Sequence, residues 1–174
     1  MNGLWWLVVV VAAPLLAVAT YWVYAGLTHP IINDIVTDPE APLAFRAMPR
    51  TVPYPGAAFA GRQLRAYPEV VPLKLAVPPA QVHALALEQM RRRGWQLVSV
   101  DEAGLVIEAT AQSLIFRFTD EIVLQVTEAA EGSRVDMRSR SRVGRSDLGV
   151  NAGRIRAFLD ELEAAARPAR LSGR

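Results

Sequence analysis

The chain has 174 residues, a formal net charge of +2 and no cysteine. That length predicts one domain plus an extension, and the missing cysteines exclude disulfides, thiolate catalysis and cysteine-type zinc sites. The near-neutral balance selects no anionic partner by bulk charge. Hydrophobic residues make up 52%, but the excess is local, because residues 1–33 contain no Asp, Glu, Lys or Arg.

After a short tail (1–3), the run LWWLVVVVAAPLLAVATYWVYAGL over 4–27 predicts one transmembrane helix. At 1.5 Å per residue it would extend about 36 Å, against a hydrocarbon core of about 30 Å. Trp5 and Trp6 lie at one end and Tyr21, Trp22 and Tyr24 at the other, as interfacial aromatic belts require. Pro14 is tolerated in a membrane helix. A cleaved signal peptide is the alternative, but its basic leading region is missing. The expected arrangement is a single-pass anchor in the lipid bilayer, with the domain outside the cytoplasm.

Ten of the chain's twelve prolines fall between Thr28 and Pro79. Residues 28–68 therefore read as an extended segment that wraps over a surface, without regular structure. Residues 69–167 read as an α+β domain, followed by a disordered tail over 168–174. Within the domain, Glu69–Val77 is a predicted strand. Pro79 suits the first position of a helix whose apolar residues include Val82, Ala86 and Met90, and which Gly94 terminates. Arg91, Arg92 and Arg93 read as its solvated end. Predicted strands follow at Trp95–Val100, Leu105–Thr110, Leu114–Thr119, Ile122–Thr127 and Arg134–Val143. The last helix spans about Ala152 to Arg167, with Asn151 as its N-cap. The expected architecture is an antiparallel sheet of five or six strands with two helices on one face.

The unusual stretch is RSRSRVGRSDLGVNAGRIRAF, Arg138–Phe158. Side chains alternate across a strand, so Arg138, Arg140 and Arg142 share a face with Arg134 and Asp136. Adjacent guanidinium groups repel one another unless carboxylates lie close. Glu108, Asp120 and the Asp34–Glu40 segment are the candidate sources. Three readings stay open: an ion-pair network tying the wrapping segment across the sheet, an arginine-lined anion site, or a merely solvated polar face. The following loop leads to a helix N-terminus, where free N–H groups favour anions. Ser146, Asn151 and Arg154 are candidate anion-binding residues there, and the competing reading is a turn in which Asp147 and Asn151 bond backbone groups. Glu108 and Asp120 would serve as an acid/base pair only in differing environments.

His29 and His83 have no metal-ligand spacing, and His83 reads as a helix-surface residue. No metal and no cofactor are expected. The basic residues lack interleaved aromatics, which argues against nucleic acid.

YPEVVPL (67–73), Gly94-Trp95, IEAT (107–110), the Ile32–Phe45 segment and above all Arg138–Phe158 resemble a bacterial family called domain of unknown function 1499. The resemblance covers about Ile32 to Leu162. It departs at Asp120-Glu121, where an Asp-Asp pair is expected, and at Gln125, where an arginine is expected. It implies the fold and a membrane association; with the orientation read above, the expected location is the bacterial inner membrane with a periplasmic domain. It implies no reaction. The leading expectation is a non-enzymatic, membrane-anchored domain that binds an anionic small molecule, a lipid headgroup or an acidic protein segment. The alternatives are a hydrolase with Glu108 or Asp120 as general base, and a scaffolding subunit of a membrane complex.

Overall fold

A computed structural model describes residues 3–28, 30–50, 52–112 and 118–172. Helix α1 spans Gly3–Thr28. It is followed by β1 (Asp34–Val36), α2 (Ala57–Ala66), β2 (Leu73–Leu75), α3 (Pro79–Arg92), β3 (Gln96–Asp101), β4 (Val106–Gln112), β5 (Thr119–Ala129), β6 (Gly132–Ser141) and α4 (Val150–Ser172).

The six strands form one antiparallel sheet in the order β1-β6-β5-β4-β3, with β2 also on β6. Strands β3 to β6 form a meander. On the outer side of β6, β1 pairs with Arg138–Arg140 and β2 with Ser133–Val135. The two short strands thus share one edge, end to end, although 36 residues separate Val36 from Leu73. Gly132 makes this close approach possible, since a Cβ there would meet the Leu75 carbonyl oxygen at 2.3 Å.

Alternation along β4, β5 and β6 sorts the sheet into two faces. Ile107, Ala109, Ile122, Leu124, Val126, Val135 and Met137 lie in the main core, with Val82, Ala86 and Met90 of α3 and Ile155, Phe158 and Leu162 of α4. Both helices cover this face, and the expected α+β architecture stands. Gly94 follows α3 at φ +68°, the left-handed conformation that ends helices. Trp95 stacks on Phe158 with ring centroids 5.2 Å apart. The other face carries a small cluster of Phe45, Met48 and Val123, because residues 41–50 and 52–55 lie across it.

Several expectations change. The wrapping segment does contain regular structure: β1 joins the sheet and α2 borders it. Gln63 of α2 donates to the Val36 carbonyl at 2.7 Å and accepts from the Val36 N–H at 3.1 Å. One side-chain amide thereby satisfies the free edge of β1, where unpaired backbone groups would otherwise be buried. The strand expected over 69–77 shrinks to Leu73–Leu75, consistent with Pro72 removing a ladder donor. The strand expected over Leu114–Thr119 falls largely on 113–117, outside the described residues; β5 begins at Thr119. His83 is buried, not on the surface, and desolvation lowers its pKa despite a hydrogen bond with the Val106 backbone. Arg93 is no solvated end either. It pairs with Glu161 at 2.8 Å and lies over the Trp95 and Phe158 rings. Helix α4 runs past Arg167 to Ser172.

The expected membrane span coincides with α1. Among the described residues no helix is long and apolar enough to cross a membrane.

Candidate functional site

The arginine face of β6 packs under residues 34–50 and 52–55, and each guanidinium has its own surroundings. Arg134 bonds Asp136 and Asp38 at the open end of the strand. The hydroxyl of Thr37 donates to Asp136. The Asp38 carboxyl is raised by desolvation, but its hydrogen bonds from Arg134 and from the Ala41 and Glu40 N–H groups outweigh this and leave its pKa low.

Arg138 is 1% exposed and, among the described residues, the largest of the fully buried side chains. Its Nε and Nη2 donate to Asp34 Oδ1 and Oδ2 at 2.9 and 2.7 Å. Nη1 donates to the Leu43 carbonyl at 2.7 Å, and Nη2 also reaches the Val52 carbonyl at 3.1 Å. The Phe45 ring lies 4.8 Å from the guanidinium carbon and Tyr54 5.8 Å. All three nitrogens are occupied, as a buried charge requires. Register places Asp34 opposite Arg140, yet its carboxylate reaches diagonally to Arg138, a contact within reach of long side chains. Burial pushes the Asp34 carboxyl above its ordinary value, and the Arg138 hydrogen bonds and charge pull it partly back. Burial likewise pushes the Tyr54 hydroxyl up to about 12.

Arg140 donates through Nη2 to Glu121 and, at 3.5 Å, to the Arg50 carbonyl. Its Nε and Nη1 are buried and have no partner among the described residues. Phe45 stacks on it as well, at 5.1 Å. Arg142 uses Nε on Glu121 Oε1 at 2.8 Å and is 38% exposed. Nothing among the described residues accepts from its terminal nitrogens. Beside these two arginines opens a cleft of about 530 Å³, with Asn33, Asp34, Arg50, Val52, Glu121 and Val143 also in its lining.

The candidates at the α4 N-terminus are placed differently. Asp147 Oδ1 accepts from the Gly149 N–H at 3.0 Å and Oδ2 from the Asn151 N–H at 2.8 Å. Its carboxylate therefore fills the position an external anion would take. Burial raises its pKa, opposed by those N–H groups. Leu148 and Gly149 both have positive φ, +53° and +83°. Ser146 donates to the Pro30 carbonyl at 3.2 Å. Asn151 is not the N-cap; Asp147 serves that end. The Asn151 side chain is buried, accepts from Ser139 and donates to Ser141 and the Asn33 carbonyl. Arg154 donates to Asp120, Ser139 and Asn151. Ser146, Asn151, Arg154, Asp120 and Asp147 thus form an internal polar joint between α4, β5, β6 and residues 30–33.

Two expected neutralisers change place. Asp120 faces the helices and pairs with Arg154, leaving Glu121 as the carboxylate beneath Arg140 and Arg142. Glu108 is on the arginine face but bonds none of them. It accepts the Arg46 N–H at 2.7 Å and the Ala47 N–H at 3.0 and 3.1 Å. Glu108 and Asp120 therefore sit on opposite faces of the sheet and share no cavity. Glu121, Arg50 and Asn33 were not among the sequence candidates. For Glu121 the signal existed: Ile122, Leu124 and Val126 are apolar at alternate positions of one face, so Asp120 belongs to their face and Glu121 to the other.

A family model described as Protein of unknown function (DUF1499) matches residues 34–162. The chain belongs to this family. The match begins at Asp34 and ends at Leu162, so it includes most of the wrapping segment, the whole sheet and most of α4, and the DUF1499 domain supplies every named cleft residue except Asn33. Its description assigns no activity. No curated protein matches the chain.

Proposed function

We propose that this DUF1499 protein is a non-enzymatic binding domain, anchored to a membrane by α1, whose cleft beside Arg140 and Arg142 holds an anion. The observation that carries the reading is the unbalanced charge of the cleft. Asp34 is matched by Arg138 behind it, so Arg50, Arg140 and Arg142 face Glu121 alone. A guanidinium with unpartnered donors in a partly desolvated site favours an oxyanion, through charge-assisted hydrogen bonds.

The anchor rests on residues 4–27, an uncharged apolar run of spanning length. The exposure of Trp6, Val10, Leu15, Leu16, Val18 and Val23 along α1 fits a lipid-facing helix. The hydrolase reading loses its support, because Glu108 is bound by backbone N–H groups and Asp120 by Arg154.

The test is thermal unfolding of the full chain in a non-ionic detergent, titrated with inorganic phosphate, sulfate and acetate. Salt-sensitive stabilisation by at least one anion is expected, and Arg142→Ala should remove it. No stabilisation, or an unchanged response in Arg142→Ala, would overturn the reading.

A further inference from the structure

Resting on the anion-binding and anchoring roles above, we infer that the cleft takes the phosphate headgroup of an acidic phospholipid at the membrane surface. Three observations converge on that chemistry.

The first is donor geometry. Arg142 is held through Nε by Glu121, which leaves its two terminal nitrogens as a planar fork. Such a fork matches two oxygens of one phosphate. The exposed Arg50 lines the same cleft.

The second is the wall. Val52 and Val143 are 41% and 61% exposed, and Pro49 and Pro55 complete an apolar rim over the arginines. A free inorganic anion gains nothing from apolar walls. A phosphate ester on a glycerol and acyl body buries its first methylenes there.

The third is position along the chain. Asn33 and Asp34 line the cleft, and α1 ends at Thr28. Five residues extend no further than ~17 Å, so the cleft lies within that chain length of the end of α1. A headgroup still in the bilayer is within reach; a ligand deep in the aqueous compartment would need no such tether.

Free phosphate and a phospholipid share the oxyanion, so the experiment must separate them. The full chain, in non-ionic detergent, is titrated with dihexanoyl phosphatidate, inorganic phosphate and zwitterionic dihexanoyl phosphatidylcholine, with binding read by native mass spectrometry and thermal shift. Phosphatidate is expected to bind roughly tenfold more tightly than inorganic phosphate, with no saturable binding of phosphatidylcholine. Arg142→Gln should abolish the phosphatidate response. Val143→Asp, at an exposed rim position, should weaken it severalfold without loss of folding. Equal affinity for phosphate and phosphatidate would overturn the lipid assignment while the anion cleft stands. No binding of either would overturn both. Undiminished phosphatidate binding in Arg142→Gln and Val143→Asp would place the lipid on α1 and overturn this inference.

Discussion

The two faces of the sheet are held by different physics. Toward α3 and α4 the contact is apolar, built from Ile107, Ile122, Leu124 and Met137 against Val82, Met90, Ile155 and Phe158. Hydrophobic burial there is non-directional and scales with area. Toward residues 34–50 and 52–55 the apolar part is small, and the segment is fastened by directed bonds from Arg138 to Asp34, Leu43 and Val52 and from the Arg46 and Ala47 N–H groups to Glu108. An apolar face tolerates shape-conserving exchange. A polar face fails when one partner is lost, because the other remains buried and unpaired. The same arginine strand then divides again: Arg138 is saturated by the protein, whereas Arg140 and Arg142 keep donors to spare.

The sharpest break of this comparison is Arg138→Ala, which strands Asp34 in the interior. It should cost about 3 to 5 kcal/mol by denaturant unfolding. Arg138→Met combined with Asp34→Leu should recover about half of that loss, since charge and partner leave together. A double variant as unstable as the single one would show that the carbonyl contacts, not the ion pair, hold the segment. On the apolar face, Phe158→Ala should lose about 3 kcal/mol or more, but Phe158→Leu far less. No conservative exchange at Arg138 should be as mild.

Gln63→Leu removes both bonds to the Val36 backbone at the sheet edge. The expected cost is about 1 to 3 kcal/mol, and amide exchange should accelerate at Val36. Unchanged exchange would refute the role assigned to this side chain.

The smallest effect concerns pH. Asp147 has a folded pKa above its ordinary value of 3.8, with burial as the main cause. A raised folded value means that its contribution to stability is complete below the unfolded pKa and is lost as pH rises through the folded one. Asp147→Asn removes that dependence along with one acceptor. Its deficit in Tm relative to the wild type should therefore shrink from about pH 4 to pH 7. A deficit that stays constant, or grows, would mean that the carboxylate is not penalised by burial.

Much of this molecule was legible beforehand. Periodicity located α3 and α4, and alternation located four of the strands and the shared face of Arg138, Arg140 and Arg142. The proline-rich segment was legible as a wrapping element, but not its contents. Helix α2 has a mixed sequence of ten residues, AAFAGRQLRA, too short and too polar to declare itself. Strand β1 has only three residues and all are buried, so no alternation marks it. At the candidate site, which carboxylate meets which arginine was not readable. Glu108 shared the face but was taken by backbone N–H groups, and Asn151 looked like a cap while Asp147 did the capping.

The local pattern of side chains by itself determined the helices α3 and α4, which faces of the longer strands are apolar and that a row of arginines needs neutralising. Those properties depend on neighbours a few positions apart. Only the tertiary structure decided that β1 and β2 share one edge of β6, that Asp34 crosses to Arg138, and that Glu121 is divided between Arg140 and Arg142. Such contacts join positions more than 100 apart in the chain, as Asp34 and Arg138 are. Their partners are chosen by the packing that brings them together, and that choice leaves one end of the arginine row closed and the other open.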